Sequence, residues 1–319
     1  MPEKVRVGFV GAGARANGSH YPSVADLPDL AEMVAICDLD ETKLSATADR
    51  YDIEARFTDI GEMLASVELD AVYCIAPPTV LKPMVMPCLE AGKAVFSEKP
   101  LGATLEDAST MADAAEANGC LTMVAFNRRF APVNLHCMAL VEERGGPTQV
   151  VVEYHKTSAE KVPYENLTMV VYDISHAVDA TRWWLGDPRE VHATVRRASV
   201  DEDNIFNALM TYESDAIGIL SANRDSGTRY ERVEVHGPGI MCSIFAPEYA
   251  EVFVAGVKQP LVITGEELAG TDDQRVTYGF LAESRHFLES VRDGVPPQPS
   301  FADAARTMRL CERLQDGEL

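Results

Sequence analysis

Directly after its first apolar run, Val5 to Val10, the chain carries Gly11-Ala12-Gly13-Ala14-Arg15-Ala16, the G-x-G-x-x-A pattern that most constrains its fold. The first glycine permits a tight turn, and the second lets the backbone approach a pyrophosphate. The small third residue lets a helix pack closely on a strand. The helix that follows offers its N-terminus to negative charge. Strand, loop and helix together open a dinucleotide-binding unit, in which Gly11, Ala12, Gly13, Ala14, Arg15 and Ala16 are expected to touch the cofactor. Asp38 ends the next apolar run, 38 − 13 = 25 residues past the second glycine. That is the place of the acidic residue that hydrogen-bonds the adenosine ribose. A carboxylate there repels a 2′-phosphate, so NAD is expected over NADP.

The first third of the chain alternates strand and helix. Apolar runs at 5–10, 33–37, 70–76, 94–97 and 121–126, with a weaker one at 55–58, are continuous, as a parallel sheet buried on both faces requires. Helices are expected at 41–51, 79–91 and, opened by Thr104-Leu105-Glu106-Asp107, over 104–118. This is a doubly wound α/β domain over residues 1–126. The pattern then changes. Helix-like stretches at 132–144 and 168–185 flank a strand at 148–156. Alternating segments at 190–197, 204–212, 216–222 and 231–235 predict a large, mostly antiparallel open sheet with one face on helices. Helices return at 278–293 and 301–314. The second domain, α+β, is assigned to 127–319.

The net charge of −22 opposes nucleic acid and anionic membrane surfaces as partners. No apolar run approaches the roughly 20 residues of a membrane helix. The seven cysteines show no C-x-x-C spacing, so they are expected to be buried free thiols in a reducing, cytoplasmic setting, with no metal site.

Glu98-Lys99-Pro100 closes the run at 94–97. A lysine there, between a carboxylate and a proline, is expected to be a costly buried ammonium and so a functional candidate. Four segments together make the chain resemble the GFO/IDH/MocA oxidoreductase family: Gly11-Ala12-Gly13; Leu89-Glu90-Ala91-Gly92-Lys93-Ala94-Val95 leading into Glu98-Lys99-Pro100; Asn127-Arg128-Arg129-Phe130-Ala131-Pro132, most similar to the MviM-like branch; and His176-Ala177-Val178-Asp179. The resemblance implies a Rossmann domain and an open-sheet domain that forms a homodimer or homotetramer. It also implies a nicotinamide cofactor, often a cis Lys99-Pro100 bond, and cofactor contacts from Ala76, Pro77, Pro78, Glu98, Lys99 and Arg128. Two positions depart from the family pattern. Tyr172 stands where an Asp is usual, with Asp173 beside it. No His lies in Pro77-Pro78-Thr79-Val80-Leu81, where Leu81 is the expected replacement.

The expected activity is hydride transfer between NAD(P) and a secondary alcohol or ketone of a sugar, cyclitol or sugar derivative. His176 is the candidate base and Lys99 the group that stabilises the substrate oxygen or relays its proton. Helical spacing would set Tyr172, Asp173, His176 and Asp179 in one polar stripe, with Asp173 or Asp179 orienting the imidazole. His155 and Lys156, ending one strand, are expected to face the substrate, as are Asn127 and Asp179. One of Arg128 and Arg129 is expected to reach a ligand and the other to pair with a carboxylate. The alternatives are an NAD-dependent glycosidase and a non-catalytic NAD sensor.

Overall fold

The computed structural model describes residues 4–157, 162–164 and 167–317. Contacts divide the chain into two units, Met1–Phe126 with Phe280–Ala305, and Asn127–Gly279 with Arg306–Leu319. The second unit therefore differs from the expected 127–319 domain, because the stretch Phe280–Ala305 packs with the first unit.

In the first unit, β1 (Val5–Val10) leads through a π-helical turn (Ala16–His20) into α1 (Tyr21–Ala25). Then come β2 (Ala31–Cys37), α2 (Glu41–Arg50), β3 (Ala55–Phe57), α3 (Ile60–Ser66), β4 (Ala71–Cys74), α4 (Pro78–Glu90), β5 (Ala94–Ser97), α5 (Leu105–Ala117) and β6 (Thr122–Val124). The sheet order is β3-β2-β1-β4-β5-β6, with every pairing parallel. This is the doubly wound order, in which the strand order reverses between β1 and β4 and opens a ligand crevice at the strands' carboxyl ends.

The second unit follows with α6 (Pro132–Glu142), β7 (Gln149–His155) and a π-helical turn (Val170–Ile174) that runs into α7 (Ser175–Leu185). Seven more strands complete its sheet: β8 (Glu190–Arg196), β9 (Ile205–Thr211), β10 (Ile217–Asn223), β11 (Tyr230–Gly237), β12 (Ile240–Phe245), β13 (Tyr249–Val254) and β14 (Leu261–Thr264). Two short helices, α8 (Gly265–Ala269) and α9 (Gln274–Thr277), close it. The order is β14-β13-β12-β11-β7-β10-β9-β8, antiparallel except for β7 with β10. Strict alternation in β7 buries Val150, Val152 and Tyr154 on the face covered by α6 and α7. The opposite face leaves Leu209, Ile217 and Phe253 exposed.

The chain returns to the first unit with α10 (Phe280–Asp293), and α11 (Phe301–Asp316) is divided between the units at Ala305. Register places Phe9, Tyr73 and Phe96 side by side on β1, β4 and β5, stacked at 4.8 and 4.5 Å between ring centroids. Tyr21 of α1 stacks on Phe9 at 4.0 Å, and Phe287 of α10 sets its edge against Tyr73 and Phe96. Each such pair contributes about 0.5–1.5 kcal/mol beyond burial. The row makes α10 part of this core. All seven cysteines are free and all but the half-buried Cys120 are buried, as expected. No helix among the described residues is long and apolar enough to cross a membrane.

Candidate functional site

In the first unit the loop is built for close approach. Gly11 has φ +106°, and a Cβ there would stand 2.2 Å from the Ile75 carbonyl oxygen at the end of β4. Its N–H donates to Cys37 O at 2.8 Å and its carbonyl accepts from the Tyr21 hydroxyl at 3.2 Å. Ala16, which opens the π turn, is fully buried. Gly13 is different, since a Cβ there would meet nothing within 4 Å. The protein itself has no need of glycine at that point, so the open side of the loop fits a cofactor pyrophosphate brought against bare backbone. Asp38 follows β2 directly and holds the loop: one carboxylate oxygen accepts from Ala12 N at 2.6 Å and the other from Asp40 N at 2.8 Å. Ala76 and Pro77 lie in the turn after β4, with Pro78 opening α4, and Leu81 is fully buried in that helix.

Two glycine substitutions therefore separate folding from binding. Gly11→Ala is expected to lower the melting temperature of the cofactor-free protein. Gly13→Ala is expected to leave that temperature unchanged and to cut NAD affinity about tenfold or more, a loss of about 1.4 kcal/mol. Calorimetry with and without NAD measures both.

Glu98 is the hub of the next turn. Its Oε1 meets His20 Nε2 at 2.9 Å and lies 3.6 Å from Arg15 Nε, and its Oε2 accepts from the Lys99 N–H at 3.1 Å. Burial pushes the carboxyl up, but the His20 hydrogen bond and the charges of His20, Arg15 and Lys99 outweigh it and hold the carboxyl below its usual range. The Lys99-Pro100 bond is cis. Lys99 itself is half-buried, a correction to the expected buried ammonium, because the turn lies at the open carboxyl edge of β5.

Because Glu98 is depressed in the folded state, its stabilisation is present above the unfolded value near 4.3 and is lost as pH falls through the folded value. Glu98→Gln is expected to cost about 1–3 kcal/mol near pH 7, with the difference from wild type closing toward pH 3. Denaturant unfolding at several pH values measures the gap.

In the second unit the four residues of the expected stripe part company. Tyr172 and Asp173 lie in the π turn and His176 and Asp179 in α7, and the wider π turn breaks the three-and-four spacing. Asp173 does not orient His176. Its Oδ1 takes Lys156 Nζ at 2.5 Å, and Arg224 Nε lies 3.1 Å from Oδ2. Asp179 is buried and held by the Arg129 fork at 2.8 and 2.6 Å, with Thr307 donating at 3.1 Å. Arg128 is paired as well, to Glu231, which also binds Arg229. Both arginines thus meet carboxylates, where one was expected to reach a ligand. Burial pushes the Glu231 carboxyl up, but Arg128, Arg229 and Lys156 outweigh it and lower it.

His155 is the last residue of β7 and Lys156 lies just past it, and the two side chains meet different partners. His155 stacks on Tyr230, its register partner, at 6.1 Å, while Lys156 turns to Asp173 and lies 4.7 Å from the centre of the Tyr154 ring. Burial lowers the Lys156 ammonium, against the pull of Asp173 and Glu231. Asn127 is buried and donates to the Tyr278 carbonyl at 2.8 Å. His176 and Asp179 do share one recess with Arg128, Arg129, Tyr154 and Glu231.

Sequence reasoning missed His20, Arg224, Glu231 and Glu283. The first three act through partners too distant along the chain to be read, whereas Glu283 sits on the apolar face of its helix, a visible signal.

The model of an oxidoreductase family with an NAD-binding Rossmann fold matches residues 5–126, and that of the GFO/IDH/MocA C-terminal domain matches residues 143–239. Inositol 2-dehydrogenase 3 of Saccharopolyspora erythraea is 28% identical over 334 residues, covering 99% of this chain and 94% of that protein. Myo-inositol 2-dehydrogenase of Thermotoga maritima is 24% identical over 326 residues, covering 96% and 94%. The structure of levoglucosan dehydrogenase in complex with NADH and levoglucosan shares the fold, with a TM-score of 0.87 at 20% identity over 99% of this chain and 97% of that one.

Proposed function

Because this chain belongs to the GFO/IDH/MocA oxidoreductase family, we propose that it is an NAD-dependent dehydrogenase oxidising a secondary alcohol of a cyclitol, sugar or sugar derivative. The observation that carries the proposal is the Lys99 turn, anchored by Glu98 on His20 at the carboxyl edge of the sheet that bears the open glycine loop. Relatives named for inositol and a fold neighbour crystallised with levoglucosan support the substrate class.

When bound, NAD supplies the hydride acceptor. Lys99 is assigned to the substrate oxygen, where its ammonium stabilises developing negative charge. His176 is assigned to the hydroxyl proton, since imidazole exchanges protons near neutral pH. Tyr172, Asp173 and Lys156 are assigned to substrate hydroxyls. The Asp38 carboxylate favours NAD over NADP. The open face of the second sheet, with Leu209, Ile217 and Phe253, is assigned to self-association.

The test is a panel of cyclitols, aldoses and anhydrosugars supplied with NAD. Accumulating NADH supports the proposal. A cleaved glycoside without NADH would mark a glycosidase, and NAD binding with no turnover would mark a sensor.

A further inference from the structure

Glu283 of α10 has 0% exposure, and among the described residues neither of its carboxyl oxygens has a hydrogen-bond partner. A bare buried carboxylate is among the costliest groups a core can hold. Its place is not random. Phe280, three residues before, sets its edge on the His20 ring at 6.0 Å and lies under the Arg15 guanidinium at 5.8 Å. Phe287, four residues after, packs on Tyr73 and Phe96. Residues at that spacing share one helix face, so Glu283 faces the π turn and the strands beneath the Lys99 turn.

The titratable and charged groups around it are Glu98, next to Lys99, from the turn after β5, His20 from the π turn, Arg15 from the loop and Tyr73 from β4. Glu98 already holds His20, Arg15 and the Lys99 N–H, and it carries the negative charge. Two carboxylates in one enclosure do not both ionise. Burial first and Glu98 second push the Glu283 carboxyl well above its usual range, with Arg15 opposing.

We propose that Glu283 stores a proton beneath the nucleotide loop and so sets the charge of the turn that presents Lys99. With Glu283 neutral, Glu98 is the single anion of the pair and stays on His20 and the Lys99 N–H. Loss of the proton adds a second anion beside Glu98 and competes with cofactor phosphate for Arg15. Glu283 is thus a positioning residue that gives cofactor binding an alkaline limit. The inference rests on the NAD-binding reading of the loop, but its test needs no substrate.

The test uses NADH and infrared spectroscopy. Wild type at neutral pH is expected to show the carbonyl band of a protonated carboxylic acid that Glu283→Gln lacks. Wild-type NADH affinity is expected to fall about tenfold or more across the pH range in which that band titrates, while Glu283→Gln stays flat. The absence of a protonated band at neutral pH, or the same alkaline loss in Glu283→Gln, overturns the proposal. If that variant does not fold, Glu98→Gln serves instead. Removing the repelling anion is expected to let the band titrate at lower pH, and an unmoved midpoint overturns the proposal. Failure to oxidise any polyol would count against the dehydrogenase reading and leave these readouts intact.

Discussion

Lys99→Met is expected to lower kcat about 10²–10⁴-fold, the usual worth of a positioned proton-handling group, while NAD affinity stays within about threefold. The split follows from which part of Lys99 does what. Its backbone N–H donates to Glu98 Oε2, a bond that methionine keeps, so the turn stays anchored. Glu98 keeps His20 and Arg15, and the loop keeps Asp38 on the Ala12 N–H. The ammonium charge is removed; its pull on Glu98 is the smallest of those that lower that carboxyl, whereas its interaction with a substrate oxygen belongs to the transition state. Steady-state kinetics and an NAD titration on the same preparation measure it. Equal losses in turnover and NAD affinity would mean that the ammonium holds the cofactor.

Asp179→Ala is expected to destabilise the second unit by about 3–5 kcal/mol, because it takes a buried carboxylate away from both arms of the largely buried Arg129 guanidinium. The lost carboxylate also held the Thr307 hydroxyl, which in turn accepts from Arg182 Nη1 at 2.7 Å. Arg182 in turn binds Asp187, so the damage spreads from α7 into α11. Replacing both partners, as Arg129→Met with Asp179→Leu, is expected to recover most of the loss, since the uncompensated charge and not the missing pair is what costs. The chain has two tryptophans, Trp183 and Trp184, and both lie in α7 four and five residues past Asp179. Denaturant unfolding followed by intrinsic fluorescence therefore reports on this helix. A loss below about 1 kcal/mol would show that the fork is not desolvated.

The sequence was most legible where local rules act alone. Continuous apolar runs identified the parallel strands, and Thr104 caps α5 through the Asp107 N–H as its spacing implied. The G-x-G-x-x-A loop carried its own geometry, down to the contact at Gly11. Three strands, β12 to β14, went unnamed, because their alternation is weak and Leu261 and Val262 of β14 are exposed. The polar stripe on α7 failed for a specific reason. Spacing assumes an α-helix, and one π turn ahead of Ser175 changes the phase. The side chains then settle by charge, Asp173 on Lys156 and Arg224, and Asp179 on Arg129, pairings no local pattern contains. The return of Phe280–Ala305 to the first unit was equally hidden, since an amphipathic helix does not say which core it covers.

The most direct measurement follows a deuterium atom. Substrates from the cyclitol and sugar panel, labelled with deuterium at their carbinol carbons, are incubated with NAD and the wild-type protein, and the reduced cofactor is analysed by mass spectrometry. One deuterium is expected in the reduced cofactor, and a signal in Lys99→Met lower by the same factor as its turnover. A substrate consumed with no deuterium reaching the cofactor would contradict it.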